Sequence, residues 1–177
     1  MDNNLIKGGR IGAHFVSNII VNNLALIDQI IDGVIVANGF TVDARHLTIA
    51  SAGQSGFHVL SGGTGLLRNS ILSHNALAVW SEGSASTSLN TNLSDANTNF
   101  QAGSVTAVNT IDGSALLKGD GYHINPTSAA VGVGLDGLSS VDIDGEARPW
   151  PAGTHPDLGA DEISAGKFFI FLPTVIR

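Results

Sequence analysis

A pattern that recurs at a short fixed spacing restricts a chain more than composition does, because each unit must fold like its neighbours and pack against them. Here the spacing is about 22 residues: DGVIVANGFTVDARHLTI (32–49), SGFHVLSGGTGLLRNSI (55–71) and LAVWSEGSASTSLNTNL (77–93) align. At that offset Ile27, Ile49, Ile71 and Leu93 share one column. Ile35, Phe57 and Val79 share a second, and Leu67, Leu89 and Ile111 a third. The units are β-prone runs such as GVIVA, HLTIA and FHVL, punctuated by Gly, Asn and Ser, with no 3.6-residue apolar period. A single unit cannot bury its apolar face. Stacked units bury a continuous column, with backbone hydrogen bonds running from coil to coil. The expected fold is therefore all-β, a right-handed parallel β-helix (a solenoid) over residues 1–110. A β-sandwich with evenly spaced strands competes with it, but three columns in common register favour the solenoid. Asn38, Asn69 and Asn75 fall where turns are expected, and Asn tolerates left-handed backbone there.

The repeat dissolves near residue 111. Residues 111–163 are loop-rich and hold four of the five prolines; they are expected to form a C-terminal closing module that covers the last coil and its unpaired strand edges. Residues 164–177 end in KFFIFLPTVIR, a β-prone tail. The formal net charge of −7 argues against a nucleic-acid partner, which needs clustered Lys and Arg. No apolar run is long enough to span a bilayer as a helix. With no cysteine there is neither a disulfide framework nor a thiolate metal site. The opening MDNNLIKGGRIG lacks the basic and apolar regions of a signal peptide.

Several short stretches carry a resemblance. RNSILSHN and its repeats resemble right-handed parallel β-helix repeat proteins of bacterial surfaces. The second half is similar to the choice-of-anchor type of closing module that ends many of them. The residues concerned are Gly121-Tyr122-His123-Ile124, Ser128-Ala129-Ala130-Val131, Asp142-Ile143-Asp144-Gly145, Arg148-Pro149 and Asp157-Leu158-Gly159-Ala160-Asp161-Glu162. The resemblance implies an extracellular or cell-surface location and no one activity. Members of that group usually carry a leader and more coils, so the chain is expected to correspond to the C-terminal part of such a protein.

The sharpest local signal for an ion is DIDGE, where Asp142, Asp144 and Glu146 alternate around a glycine. Oxygen donors at that spacing suit calcium in a structural role. The bidentate Glu of an EF-hand loop is missing, since position 153 is Gly, and a turn in which Asp accepts backbone N–H groups is the favoured reading. Asp157, Asp161 and Glu162 either join that ion or pair with Arg148. No catalytic residue is assigned: at the 22-residue offset no two coil acids stack, as paired-carboxylate hydrolysis requires. His46 and Arg68 fall in one column with Asn90 next, and Trp80 can stack on a sugar ring. His46, Arg68 and Trp80 are thus candidate sugar contacts. The histidines show no zinc spacing.

The tail raises the question of partners. A β-prone, low-charge run is an aggregation hazard unless it packs on protein. Phe168, Phe169, Ile170, Phe171, Leu172, Val175 and Ile176 are expected to contact another subunit, pairing with an uncapped N-terminal coil around Leu5, Ile6 and Ile11. A strand folded back along the chain's own coils and a sorting signal are the alternative roles for this tail. Three functions remain open: a non-enzymatic surface module that assembles head-to-tail into filaments, a carbohydrate-binding or polysaccharide-degrading fragment lacking its N-terminal coils, and a small cytosolic β domain.

Overall fold

A computed structural model describes residues 1–164; the expected subunit contact of Phe168–Ile176 lies outside the described residues. Thirteen strands follow one another: β1 (Asp2–Lys7), β2 (Ile11–Phe15), β3 (Ile19–Ile27), β4 (Asp32–Val36), β5 (Thr41–Ala50), β6 (Ser55–Val59), β7 (Thr64–Arg68), β8 (Ile71–Ser73), β9 (Leu77–Ser81), β10 (Ser86–Asn90), β11 (Leu93–Asp95), β12 (Asn99–Gly103) and β13 (Val105–Val108). Every strand pairing is parallel. One sheet runs β1-β3-β5-β7-β10-β13, with β8 and β11 continuing it beside β5, and the other runs β12-β9-β6-β4-β2. The chain is a parallel β-solenoid of about five turns.

Three columns of left-handed residues turn the chain at the corners. Asn3, Asn23, His46, Asn69, Thr91 and Asn109 form the first, with φ between 49° and 56°. Asp28, Ser51, His74 and Ala96 form the second, and Gly39, Gly62 and Gly83 the third. Asn and Gly bear this conformation best, so their punctuation of the sequence marks the corners. Asn69 occupies such a corner as expected. Asn75 also lies in a turn, between β8 and β9, but turns its side chain inward, where it caps the amide of Ala52 and meets Asn97.

The spacing is not constant, and this corrects the columns. Leu26 stands opposite Ile49 and Ile49 opposite Leu72, whereas Ile71 stands opposite Leu93. Cross-coil pairs are 20 or 21 residues apart at the first coil, 23 apart from β3 to β7 and from β4 to β6, 22 in the next coils and 18 between β10 and β13. A one-residue shift moves a strand side chain to the opposite face. Of Ile27, Ile49, Ile71 and Leu93, only Ile49 joins the interior, packed with Leu26 and Leu72. Val34 rather than Ile35 aligns with Phe57 and Val79, and Leu89 opposes Ala107, not Ile111. Leu67 and Leu89 do stack in the interior, with Ala44 before them in the column.

Ile71 and Leu93 face outward and form a second apolar cluster with Ala115, Ile124, Ala130 and Leu158. The closing segment therefore lies along the flank of the solenoid, and of the last coil it pairs with β11, where the Ile111 amide donates to the Asn92 carbonyl at 3.0 Å. It leaves the last coil at Asp95, which caps the amide of Ala115 at 2.9 Å. It crosses Asn69, whose carbonyl takes the Gly159 amide at 2.8 Å. It reaches the first coils at Asn23, which donates to the Val141 carbonyl at 2.9 Å. Gly159 (φ 86°) makes the approach feasible: a Cβ there would stand 2.6 Å from Thr48 Oγ1 and 2.7 Å from Ile71 Cδ1. Among the described residues, the outer edges of β1, β2, β12 and β13 pair with nothing.

Candidate functional site

In the closing segment, which straps the flank, three of the motif stretches converge at His123, Asp144 and Asp161. His123 sits between carboxylates, its Nδ1 2.7 Å from Asp120 Oδ2 and its Nε2 2.9 Å from Asp144 Oδ2, with Asp161 Oδ1 at 3.8 Å. Burial works to lower the His123 pKa. The hydrogen bond to Asp120 and the charges of Asp161 and Asp120 outweigh it, and the pKa is raised. His123, Asp144 and Asp161 each bring one donor atom within 4.8 Å of the others, the donor set of a divalent-cation site.

Asp142, Asp144 and Glu146 point different ways. Buried Asp142 accepts the amides of Asp144 (3.0 Å) and Glu146 (2.8 Å) on Oδ1 and that of Glu162 (3.1 Å) on Oδ2. Asp144 turns to His123, and Glu146 takes the Ser164 hydroxyl at 2.5 Å. Asp142 thus orders its own turn and ties it to the Asp161-Glu162 segment. Burial raises its pKa against the pull of these amides.

A second knot lies between strap and coils. Arg148, fully buried, donates to the carbonyls of Asp157 (3.1 Å), Gly159 (3.0 Å) and Ala160 (3.0 Å) and stands 3.5 Å from Glu162 Oε2. Glu162 in turn accepts the amides of Trp150 and Asp157, both at 2.8 Å. Arg148 also reaches His46 Nδ1, while Asn69 Nδ2 lies 3.2 Å from His46 Nε2. Nδ1 therefore accepts from the Arg148 guanidinium, and protonating that nitrogen would set N–H against N–H. Burial, then the Arg148 charge, hold the His46 pKa well below its ordinary value. Burial likewise raises Asp157, Asp161 and Glu162. Carboxylates committed to backbone amides and to one guanidinium hold a loop in place, and the chemistry of this knot is clamping.

The candidate sugar contacts sit on separate surfaces. His46 occupies a left-handed corner under the strap. Arg68 ends β7 beside Arg45, both paired with Asp43 at 2.8 and 2.5 Å. Trp80 lies on the other sheet, stacked on His58 with ring centroids 4.1 Å apart and 6° between planes. His58 is in turn held by Asp32 (3.3 Å), itself bonded to Ser55. The His58–Trp80 pair has the 22-residue spacing that organises the sequence, the signal that would have found it.

No protein-family model, no curated protein and no solved structure matches this chain.

Proposed function

We propose that this protein is a non-enzymatic structural module of the extracellular or cell-surface environment, a rigid rod segment that stacks head-to-tail on further copies. The observation that carries the reading is the placement of the strap. By lying on the flank, it braces the coils while both sheets keep open, parallel edges at each end. Parallel edges of one polarity accept another coil by β-augmentation. A contact between unlike ends is heterologous, and it propagates unless the rotation closes. The first coil also exposes Leu5, Ile11, Val16 and Ile20, and the last exposes Val108, apolar surface that stacking would remove from water. The surface location rests on the likeness of the strap motifs to those of bacterial surface β-helix proteins.

The test is Ala107→Lys. Ala107 continues the Leu67–Leu89 column at the open edge, where it is exposed, so a charge there leaves the isolated fold intact and blocks a following coil. Sedimentation velocity and electron microscopy of the full chain should show concentration-dependent linear assemblies for the parent and monomers for the variant. A parent that stays monomeric at high concentration, or a variant that assembles equally, removes the proposal.

A further inference from the structure

We infer that the outer face of the β4-β6-β9 sheet carries a glycan-binding platform, on which Trp80 stacks against one pyranose ring of an uncharged polysaccharide. The inference goes beyond the rod reading and does not depend on assembly. The outward column of this sheet runs His14, Ile35, His58, Trp80 and Ala102. One face of the indole is occupied by the His58 imidazole at 4.1 Å. Beneath it, Asp32 grips His58 Nδ1 with one oxygen and the amide and hydroxyl of Ser55 with the other. The plane of Trp80 is therefore set before any ligand arrives, which spares binding the entropy of ordering it. Next in the column comes Ala102, whose single methyl cannot cover an indole.

The result is a groove of about 490 Å³ bounded by Trp80, Leu77 and Ala102, with Gln54 and Asn99 on its rim. That volume lies within the range of ligand pockets. Its chemistry selects the occupant. The half-buried indole offers its remaining face as a flat apolar surface for the C–H face of a sugar ring, and the rim amides donate to and accept from hydroxyls. At the far edge of the ring, His58 Nε2 is buried without a hydrogen-bond partner, 3.9 Å from Glu82 Oε2. His58 is 7% exposed, and this nitrogen belongs to the support behind the indole, not to the lining of the groove. Among the described residues no charged side chain lines the groove, and the chain carries a net charge of −7. A uronate polymer would be repelled, and a neutral hexose polymer would not.

The experiment is affinity electrophoresis of the full chain in gels containing a mixed-linkage glucan, a galactomannan or polygalacturonate, with tryptophan fluorescence titration beside it. Retardation by at least one neutral polymer and none by polygalacturonate is expected. Trp80→Ala should weaken binding about tenfold or more, the scale of a lost stacking contact. Trp150→Ala should leave binding unchanged. Ala102→Phe keeps Trp80 and its support but fills the groove, and should also abolish retardation, which covers a folding failure of the first variant. Binding to neither neutral polymer, equal binding to polygalacturonate, or full binding by Ala102→Phe each overturns the inference. None of these results alters the sedimentation test of the rod.

Discussion

His46 occupies a corner column otherwise rich in Asn, and His46→Asn isolates what its titration does to the strap. In the unfolded chain the imidazole protonates at its ordinary 6.5; in the fold, burial and the Arg148 charge hold its pKa well below that. Below 6.5 the unfolded state binds the extra proton, so stability is fully present above 6.5 and falls as pH drops toward the folded value. The slope for one proton is about 1.4 kcal/mol per pH unit. The groups around the ring are Arg148, Asn69, Arg45 and the Asp157 and Gly159 carbonyls. Protonation adds an N–H at the nitrogen that accepts from Arg148, and the strap is the side that can move away. The loss should then stop at the free energy of releasing the strap, leaving the coils folded. Other groups contribute with their own signs: raised His123 adds stability below 6.5 and loses it as pH rises through its folded value. Raised Asp142, Asp157, Asp161 and Glu162 favour the fold as pH falls through their folded values toward the ordinary 3.8 to 4.5. These terms are common to both proteins and cancel in the difference. Asn keeps the left-handed corner and carries no proton. Urea unfolding by far-ultraviolet circular dichroism, with limited proteolysis of the strap, should be run between pH 7.5 and 5.0. The parent strap should become protease-sensitive on acidification while the coil signal persists, and His46→Asn should resist. Parallel profiles for the two proteins, or coils and strap lost together in the parent, would refute the argument.

The corrected register separates two isoleucines that the constant spacing places together. Ile49→Asp puts an unpaired charge in the solenoid interior and should prevent folding, whereas Ile71→Asp should release the strap, with about 2–5 kcal/mol lost locally and the coil circular dichroism retained; equal collapse of both would restore the single column. Chelator should lower the melting temperature by only a few degrees, because each oxygen of Asp142 already accepts an amide and His123 already links Asp120 and Asp144. Unfolding on chelation, read by calorimetry, would establish a resident structural cation.

The coil architecture was legible because short β-prone runs with Gly and Asn corners recur, and the solenoid is what such runs build. The exact columns were not. A constant spacing cannot reveal one extra residue at a corner in two of the coils, yet that residue decides which of Ile49 and Ile71 faces inward. The same slip coupled His46 to Arg68, when the neighbours are His46 with Asn69 and Arg45 with Arg68. Within the strap the motif residues were visible as charged punctuation, and the expected turn at Asp142 and the pairing of Arg148 with Glu162 follow from it. Their convergence was not visible, because loops of irregular length have no periodicity from which contacts can be projected.

The outward columns explain why a strap of this composition settles on the flank. A solenoid face that presents Thr48, Ile71 and Leu93 side by side is too apolar for water and too narrow for another sheet. Covering it with loop rather than strand leaves backbone groups that must be satisfied one at a time. The strap meets that demand with side chains: Asp95 caps Ala115, Asp157 caps Gly132 and Ile163, Asp161 caps Ile124, and Arg148 gathers three carbonyls. The concentration of buried acids in residues 142–162 is thus the consequence of an irregular backbone lying on an apolar face, and the same acids account for the raised pKa values without requiring a reaction. The glycan platform we infer lies on the opposite sheet, where Trp80 stands beside Ala102, a residue too small to cover it.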